Sequence, residues 1–379
     1  MNKKLIAIAI ATAVSAPAMA ATSNVEVYGL MSMGVDSVTS TATGGSSNRV
    51  GRVSDYASRI GFKGNEDLGN GLKAIWQIES QVTADGGALS PNTASISGAT
   101  TAFGGATLRN TFVGLSSKDM GTVMIGKIDT PYKTSTGRLD QFADTMGDYN
   151  GLVGAAGGTG LNTAGNYFDL RPANVAAYAT PNFSGFSAVA GYVFGGESAT
   201  SGTASNGNAY SLAAMYDAGP LYLTAAYEKH NLGTGASGSL SAGTAPDQER
   251  KAWKLGAAYS IMDFTLATMY EKTDDNMGTN GANVTGHNTW FLSGKYQMGA
   301  VAFKAQYAKA SEQTAANTGA KLYTLGADYG FSKRTTVYAL YTKISNESAA
   351  TYNFAWNGAP TPATGTDVSG FSVGVKHSF

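Results

Sequence analysis

The sequence contains no cysteine. Disulfides, thiolate metal sites and a lipid-anchored cysteine are excluded together. Charge is also scarce: Asp, Glu, Lys and Arg make up 14% of the 379 residues, and 26 cations balance 26 anions. Nucleic-acid binding usually needs a basic surface, which this balance does not provide. Long apolar runs are missing too. Beyond residue 20 nothing approaches the roughly eighteen continuous apolar residues of a transmembrane helix. Histidine is limited to His230, His287 and His377. No predicted strand sets one of them beside an inward serine and an acid, so nucleophilic catalysis has no constellation to use. The run Gly154-Ala155-Ala156-Gly157-Gly158-Thr159-Gly160 lacks the Lys-Ser/Thr of a phosphate loop. Asp274-Asp275-Asn276 with Gly278 lacks the closing glutamate of a calcium loop. No enzyme activity, cofactor or metal is expected.

What is present begins with an export signal. Lys3 and Lys4 form a basic start, residues 5–14 an apolar stretch too short to span a bilayer, and Ala18-Met19-Ala20 a small-x-small cleavage site. Residues 1–20 are therefore read as a signal peptide and residues 21–379 as one domain. Loss of the two lysines leaves 24 cations against 26 anions, a net charge near −2.

The remainder is rich in glycine and tyrosine, 49 and 20 residues. It resolves into sixteen strand-like segments: 25–36, 54–64, 71–82, 107–116, 121–129, 171–180, 185–194, 209–217, 220–229, 251–260, 263–272, 288–297, 300–309, 321–329, 334–344 and 367–379. Most have the length of a tilted strand crossing the hydrocarbon core. The connections alternate. Those at 65–70, 119–120, 182–184, 218–219, 262, 298–299 and 331–333 are short; those at 37–53, 83–106, 130–170, 195–208, 231–250, 273–287, 310–320 and 345–366 are long. Short turns on one rim and long loops on the other are the arrangement of bacterial outer-membrane barrels. Within strands the apolar face alternates with a polar one, as in 263–272, where Phe264, Leu266, Thr268 and Tyr270 oppose Thr265, Ala267, Met269 and Glu271. Tyr216, Tyr259, Tyr296 and Tyr329 precede short turns, and Tyr227, Tyr270 and Tyr307 precede long loops. Seven tyrosines in register on one face predict two interfacial girdles. Phe371, Val373, Val375, His377 and Phe379 end the chain as an outer-membrane barrel strand usually ends.

Several motifs resemble those of the β-proteobacterial general porins. They include 58–74, with Ser58-Arg59-Ile60-Gly61-Phe62-Lys63-Gly64 leading into Asn65-Glu66-Asp67-Leu68-Gly69; Arg109-Asn110-Thr111-Phe112-Val113-Gly114-Leu115 with 121–131; Tyr178-Ala179-Thr180-Pro181; Ser332-Lys333-Arg334-Thr335; and the ending Gly374-Val375-Lys376-His377-Ser378-Phe379. The resemblance spans the chain beyond the signal. It implies an all-β, 16-stranded antiparallel transmembrane β-barrel with an inward-folded long third loop, assembled as a homotrimer. The implied function is a water-filled outer-membrane channel for passive diffusion of small hydrophilic solutes and ions. Membrane lipid and lipopolysaccharide are the expected surroundings. An outer-membrane adhesin or receptor acting through the long loops is the alternative.

The third loop is the longest connection, and loops of this length are usually functional or disordered. Its acids Asp140, Asp144 and Asp148 are expected on one side of a constriction, with Arg138 among them and Asp169 near the loop's end. Alternation sets the other side. With Tyr56, Ile60 and Phe62 outward, Arg59 and Lys63 face the lumen; with Leu72, Trp76 and Ile78 outward, so does Glu79. Outward Phe112 and Tyr178 turn Arg109 and Arg171 inward. Lys127 joins this basic wall if Val123 and Ile125 face the lumen. In related porins, residues matching Arg59, Arg109 and Glu79 line the eyelet. Opposed charges across a narrow passage create a transverse field, and the inward arginines predict a mild anion preference. Gly and apolar residues on both faces of the first five strands and the last predict the subunit interface there.

Overall fold

The computed structural model describes residues 24–41, 47–85, 108–155, 168–195, 207–234, 247–356 and 362–379. The export signal and the middles of several predicted loops lie outside the described residues. Seventeen strands follow in chain order: β1 (Asn24–Thr41), β2 (Ser47–Asp55), β3 (Arg59–Gly69), β4 (Leu72–Gln81), β5 (Thr111–Ser117) and β6 (Gly121–Lys127). A short helix α1 (Pro131–Thr136) opens the third loop, and then come β7 (Val175–Ala179), β8 (Phe186–Phe194), β9 (Asn208–Ala218), β10 (Leu221–Asn231) and β11 (Glu249–Ile261). The series ends with β12 (Phe264–Asp275), β13 (Asn288–Met298), β14 (Val301–Ala310), β15 (Ala320–Gly330), β16 (Thr335–Asn346) and β17 (Val368–Ser378).

From β3 onward each strand pairs antiparallel with its sequence neighbour, β1 pairs with β2 and β3, and β1 also pairs with β17, so the sheet closes. β1 faces both β2 and β3, which are two lengths of one stave, so the wall has sixteen staves. Closure leaves no unpaired edge, which a sheet in hydrocarbon requires. The last residue completes it: Phe379 and Gly29 exchange backbone hydrogen bonds of 3.1 and 3.0 Å. Any side chain at Gly29 would run into the Phe379 ring.

The outer face carries the aromatic rows. At the short-turn rim Phe186–Tyr216 and Phe264–Tyr296 ring centroids are 4.4 Å apart. At the long-loop rim Trp253–Tyr270 and Tyr270–Trp290 lie 5.3 and 4.6 Å apart, and Tyr307–Tyr323 5.2 Å. Both rows run over β7 to β16. The outer face of β17, β1 and β3 to β6 has no tyrosine and is mainly aliphatic, with Val35, Val113, Leu115, Val123, Ile125, Val373 and Val375 exposed.

Two local departures from the period-2 pattern re-aim side chains. Met33 faces Asp55 above a break and Leu30 faces Arg59 below it, so three steps of β1 match four of its partner. The extra residue is absorbed around Ala57, at φ 58°. Tyr56, expected outward, is buried inside and donates to Asp36 Oδ2 at 2.6 Å. A second extra residue lies between the bridge Ser80–Leu108 and the pair Gln77–Phe112. Phe112, also expected outward, therefore packs inside with Met124 against Ile128 and Val175. Bulges of this kind are known to redirect side chains beside functional sites.

The first predicted loop, 37–53, is mostly strand. Pairing continues from Met33–Asp55 to Thr41–Ser47, and the alternation of short and long connections breaks at this hairpin. The segment is polar on both faces and extends past the apolar band, so no period-2 signal marks it. β7 starts at Val175 rather than 171, after Asn174 at φ 59°.

Candidate functional site at the third loop

Thr130 caps α1 by accepting from the Lys133 N–H at 3.3 Å, and Pro131 occupies the first turn, where its missing N–H costs nothing. Beyond the helix the chain runs along the inner face of the wall. Tyr132 donates to Glu271 of β12 at 2.9 Å, and Tyr222 of β10 donates to the Ser135 carbonyl at 2.5 Å. Ser293 of β13 donates to the Leu139 carbonyl at 2.8 Å, and Gln306 of β14 donates to that of Gly147. Lys376 of β17 donates to the Ala143 carbonyl at 2.8 Å. Leu139, Phe142 and Met146 enter spaces that inward glycines leave open. A Cβ at Gly256 would lie 2.6 Å from Leu139, one at Gly326 2.9 Å from Phe142, and one at Gly370 2.7 Å from Met146.

The loop's far end is held by buried charge. Lys254 Nζ lies 2.6 Å from Asp169 Oδ1 and 4.0 Å from the centre of the Tyr132 ring, and Glu271 also accepts from the Gly154 N–H at 2.9 Å. An unpartnered charge at this depth would cost several kcal/mol, so each group secures the other. Beside them His230 and Glu228 are 2.8 Å apart, covered by Phe168 and buried.

The loop meets the basic wall at one point. Asp144 accepts from Arg59 Nη1 at 2.9 Å, and both remain about a quarter exposed. Arg109 Nε lies 2.6 Å from Glu79 Oε1, whose other oxygen accepts from Tyr28 at 2.9 Å. Arg171 donates to Asp129 at 3.1 Å, and Lys133 lies 3.0 Å from the same carboxylate. Arg59 and Arg171 both act electrostatically on Arg109, so the three guanidinium groups form one cluster. Lys376 acts likewise on Asp144. Arg59, Arg109, Arg171 and Lys133 thus gather around three carboxylates, Glu79, Asp129 and Asp144, and Lys376 beside Asp144 has Lys304, Asp140 and Asp328 as further charged neighbours.

Of the residues expected at the constriction, Arg59, Arg109, Arg171, Glu79 and Asp144 lie in one cluster. Arg109 is inward because of the second bulge, not because Phe112 is outward. Lys63 stands apart, 3.2 Å from Glu26 and 5.1 Å from the centre of the Tyr28 ring. Lys127 pairs with Thr111 on the face that bears Val113, Val123 and Ile125. That is the outer face, so the condition that would turn Lys127 inward is not met, although Arg171 and Asp129 remain its electrostatic neighbours.

Two of the loop acids are spent inside the loop. Asp140 accepts from the Phe142 and Tyr149 N–H groups at 2.7 and 3.0 Å. Asp148 accepts from the Asn150 N–H at 2.9 Å, the Asp144 N–H at 3.1 Å and the Trp356 indole at 3.1 Å. Burial pushes the Asp148 carboxyl up to about 6, and burial with Asp148 nearby pushes Asp140 well above its ordinary value. Asp144 differs: despite burial, Arg59, Arg109 and Lys376 hold it below the ordinary range. Arg138 pairs with Asp217 of β9 and lies 4.2 Å from the centre of the Tyr222 ring. The sequence reading missed Asp129, Lys133 and Tyr28. The Thr130-Pro131 helix start, with Asp129 four residues before Lys133, was the available signal.

A sequence model described as Gram-negative porin matches residues 7–349. Outer membrane porin protein 32 of Delftia acidovorans is 32% identical over the whole of both chains. The major outer membrane protein P.IB of Neisseria lactamica is 27% identical, again over all of both chains. Among solved structures, an anion-selective porin from Comamonas acidovorans superposes with a TM-score of 0.76 at 28% identity, covering 94% of this chain and 100% of the other. With its closed wall of sixteen staves, its sorted rims and these relatives, the chain belongs to the Gram-negative porins, the channel proteins of the outer membrane.

Proposed function

We propose that the third loop is the constriction of this channel and that small hydrophilic solutes pass it with a preference for anions. One observation carries the preference: three arginines and Lys133 gather around three carboxylates there, while Asp140 and Asp148 accept backbone hydrogen bonds within the folded loop. In a narrow passage walled by protein, a small charge excess acts over the full cross-section and is weakly screened. The similarity to the anion-selective porin from Comamonas acidovorans supports the same reading. No catalytic step is assigned, since the only histidine–acid pair among the described residues, His230 with Glu228, is closed off beneath the loop. Reversal potentials in a salt gradient across planar bilayers test the proposal. Wild type is expected to read as anion-preferring, and Arg59→Ser with Arg109→Ser should move the potential toward zero or beyond. A cation-selective reading that the double substitution leaves unchanged overturns it.

The outer wall supports a trimer as its assembly. The tyrosine-free, aliphatic stretch over β17, β1 and β3 to β6 suits protein contact, and the aromatic stretch over β7 to β16 suits lipid.

A further inference from the structure

The outer face of β10 to β16 carries a lysine on nearly every strand, one step beyond the upper aromatic row. Lys229, Lys251, Lys272, Lys309, Lys321 and Lys343 share the parity of Tyr227, Trp253, Tyr270, Tyr307, Tyr323 and Tyr341. The flanks of this belt are neutralised. Lys229 pairs with Glu249, Lys251 is 3.7 Å from Asp274, and Lys343 is 2.7 Å from Asp367. The middle is not. Lys272, Lys309 and Lys321 are exposed and have no ion-pair partner among the described residues. Lys309 and Lys321 also stand directly opposite each other across β14 and β15, and Trp290 is the other cross-strand neighbour of Lys309. Like charges directly opposed in a sheet are destabilising, so this pair calls for a counter-charge that none of the described residues supplies.

We propose that Lys309 and Lys321, with Lys272, clamp the phosphate groups of an outer-leaflet glycolipid, lipopolysaccharide. Its acyl chains would lie over Trp290, Tyr307 and Tyr323. The level is the right one: aromatic rings mark the headgroup zone, and the lysines stand just beyond it on the rim of long loops. Ammonium groups next to an anionic membrane surface gain about a factor of five in affinity each. The idea depends on the porin reading only for which rim faces outward.

The test uses the full-length folded oligomer and bisphosphorylated lipid A as the probe, with dephosphorylated lipid A and inorganic phosphate as the other arms. Wild type is expected to bind the bisphosphorylated form more tightly than the dephosphorylated one. Lys309→Gln with Lys321→Gln should weaken that binding by roughly 30-fold, while Lys309→Arg with Lys321→Arg keeps it. Should the double glutamine variant fail to assemble, each single substitution is expected to give part of the loss. Equal affinity for both lipids, unchanged binding in the glutamine variants, or full displacement by inorganic phosphate at comparable concentration overturns the proposal. Channel conductance recorded on the same samples separates a failure of this clamp from a failure of the channel reading, because none of the three lysines faces the lumen.

Discussion

At the scale of single residues, a carboxylate inside a folded loop meets backbone N–H groups before it meets an ion. Asp140 and Asp148 each accept two of them, and Asp148 a third donor from Trp356. A sequence shows the acid but not the donors, so both read as field-making charges, whereas Asp144, four residues before Asp148, does reach an arginine. Arg59 and Glu79 were legible because strand parity settles which way they point. The buried acids carry a pH dependence whose sign follows from their raised values. Below about pH 4 the Asp148 carboxyl is protonated whether the loop is packed or loose. From there to about 6 the loose form ionises and the packed one does not, so packing weakens as pH rises. Above about 6 the Asp148 penalty is complete, on the order of 3 kcal/mol, and Asp140, also raised by burial, adds to it in the same direction from the same onset. Current fluctuations in single-channel recordings are expected to grow between pH 4 and 6, and Asp148→Asn should make that part of the profile shallower. An unchanged profile in Asp148→Asn would assign the titration to another group.

Whole strands were easier to read than their irregularities. Alternation fixed the staves from β8 to β17 to within a few residues, because lipid on one side and water or loop on the other impose a two-residue period. It failed at Tyr56 and Phe112, since one extra residue inverts the parity beyond it and leaves no trace where both faces mix polar and apolar side chains. These two bulges build the site. The first lets Tyr56 enter the core beside Asp36, while Arg59 donates to the Ala57 carbonyl at 3.2 Å and to Asp144. The second turns both Arg109 and Phe112 inward. Ala57 holds a left-handed conformation that costs an L residue about 1–2 kcal/mol relative to glycine. Ala57→Gly should therefore raise the thermal midpoint of the folded protein without altering ion selectivity, and Ala57→Val should lower it. Deleting Asn110 removes the second bulge and its paired hydrogen bonds with Asp129, 2.8 Å each way. The deletion is expected to swing Arg109 away from Glu79 and shift the reversal potential as Arg109→Ser does. A selectivity equal to wild type would show that the bulge does not aim this arginine.

Across the whole molecule the wall is built as two unlike halves, and their boundary follows sequence order because each stave pairs with its chain neighbour. Outward-facing tyrosine belongs, among the described strands, to β7 through β16, and the lysine belt to β10 through β16. Val113 and Ile125 face each other across β5 and β6 in the aliphatic half, while Leu266 of β12 holds a comparable exposed position in the aromatic half. The two sites separate protein contact from lipid contact. An arginine facing lipid at mid-depth costs about 2–4 kcal/mol, softened by bending toward the headgroups, so Leu266→Arg should lower the yield of inserted protein and leave its assembly intact. An arginine pressed into a subunit interface has no such escape, and an unpaired charge there costs about 3–5 kcal/mol. Val113→Arg with Ile125→Arg is therefore expected to release monomers on unheated gels and in mass measurements of detergent-solubilised protein, with each monomer still heat-modifiable and hence folded. Trimers that survive this pair, or monomers from Leu266→Arg, would move the interface to the aromatic half and require the lysine belt to face protein rather than the outer leaflet.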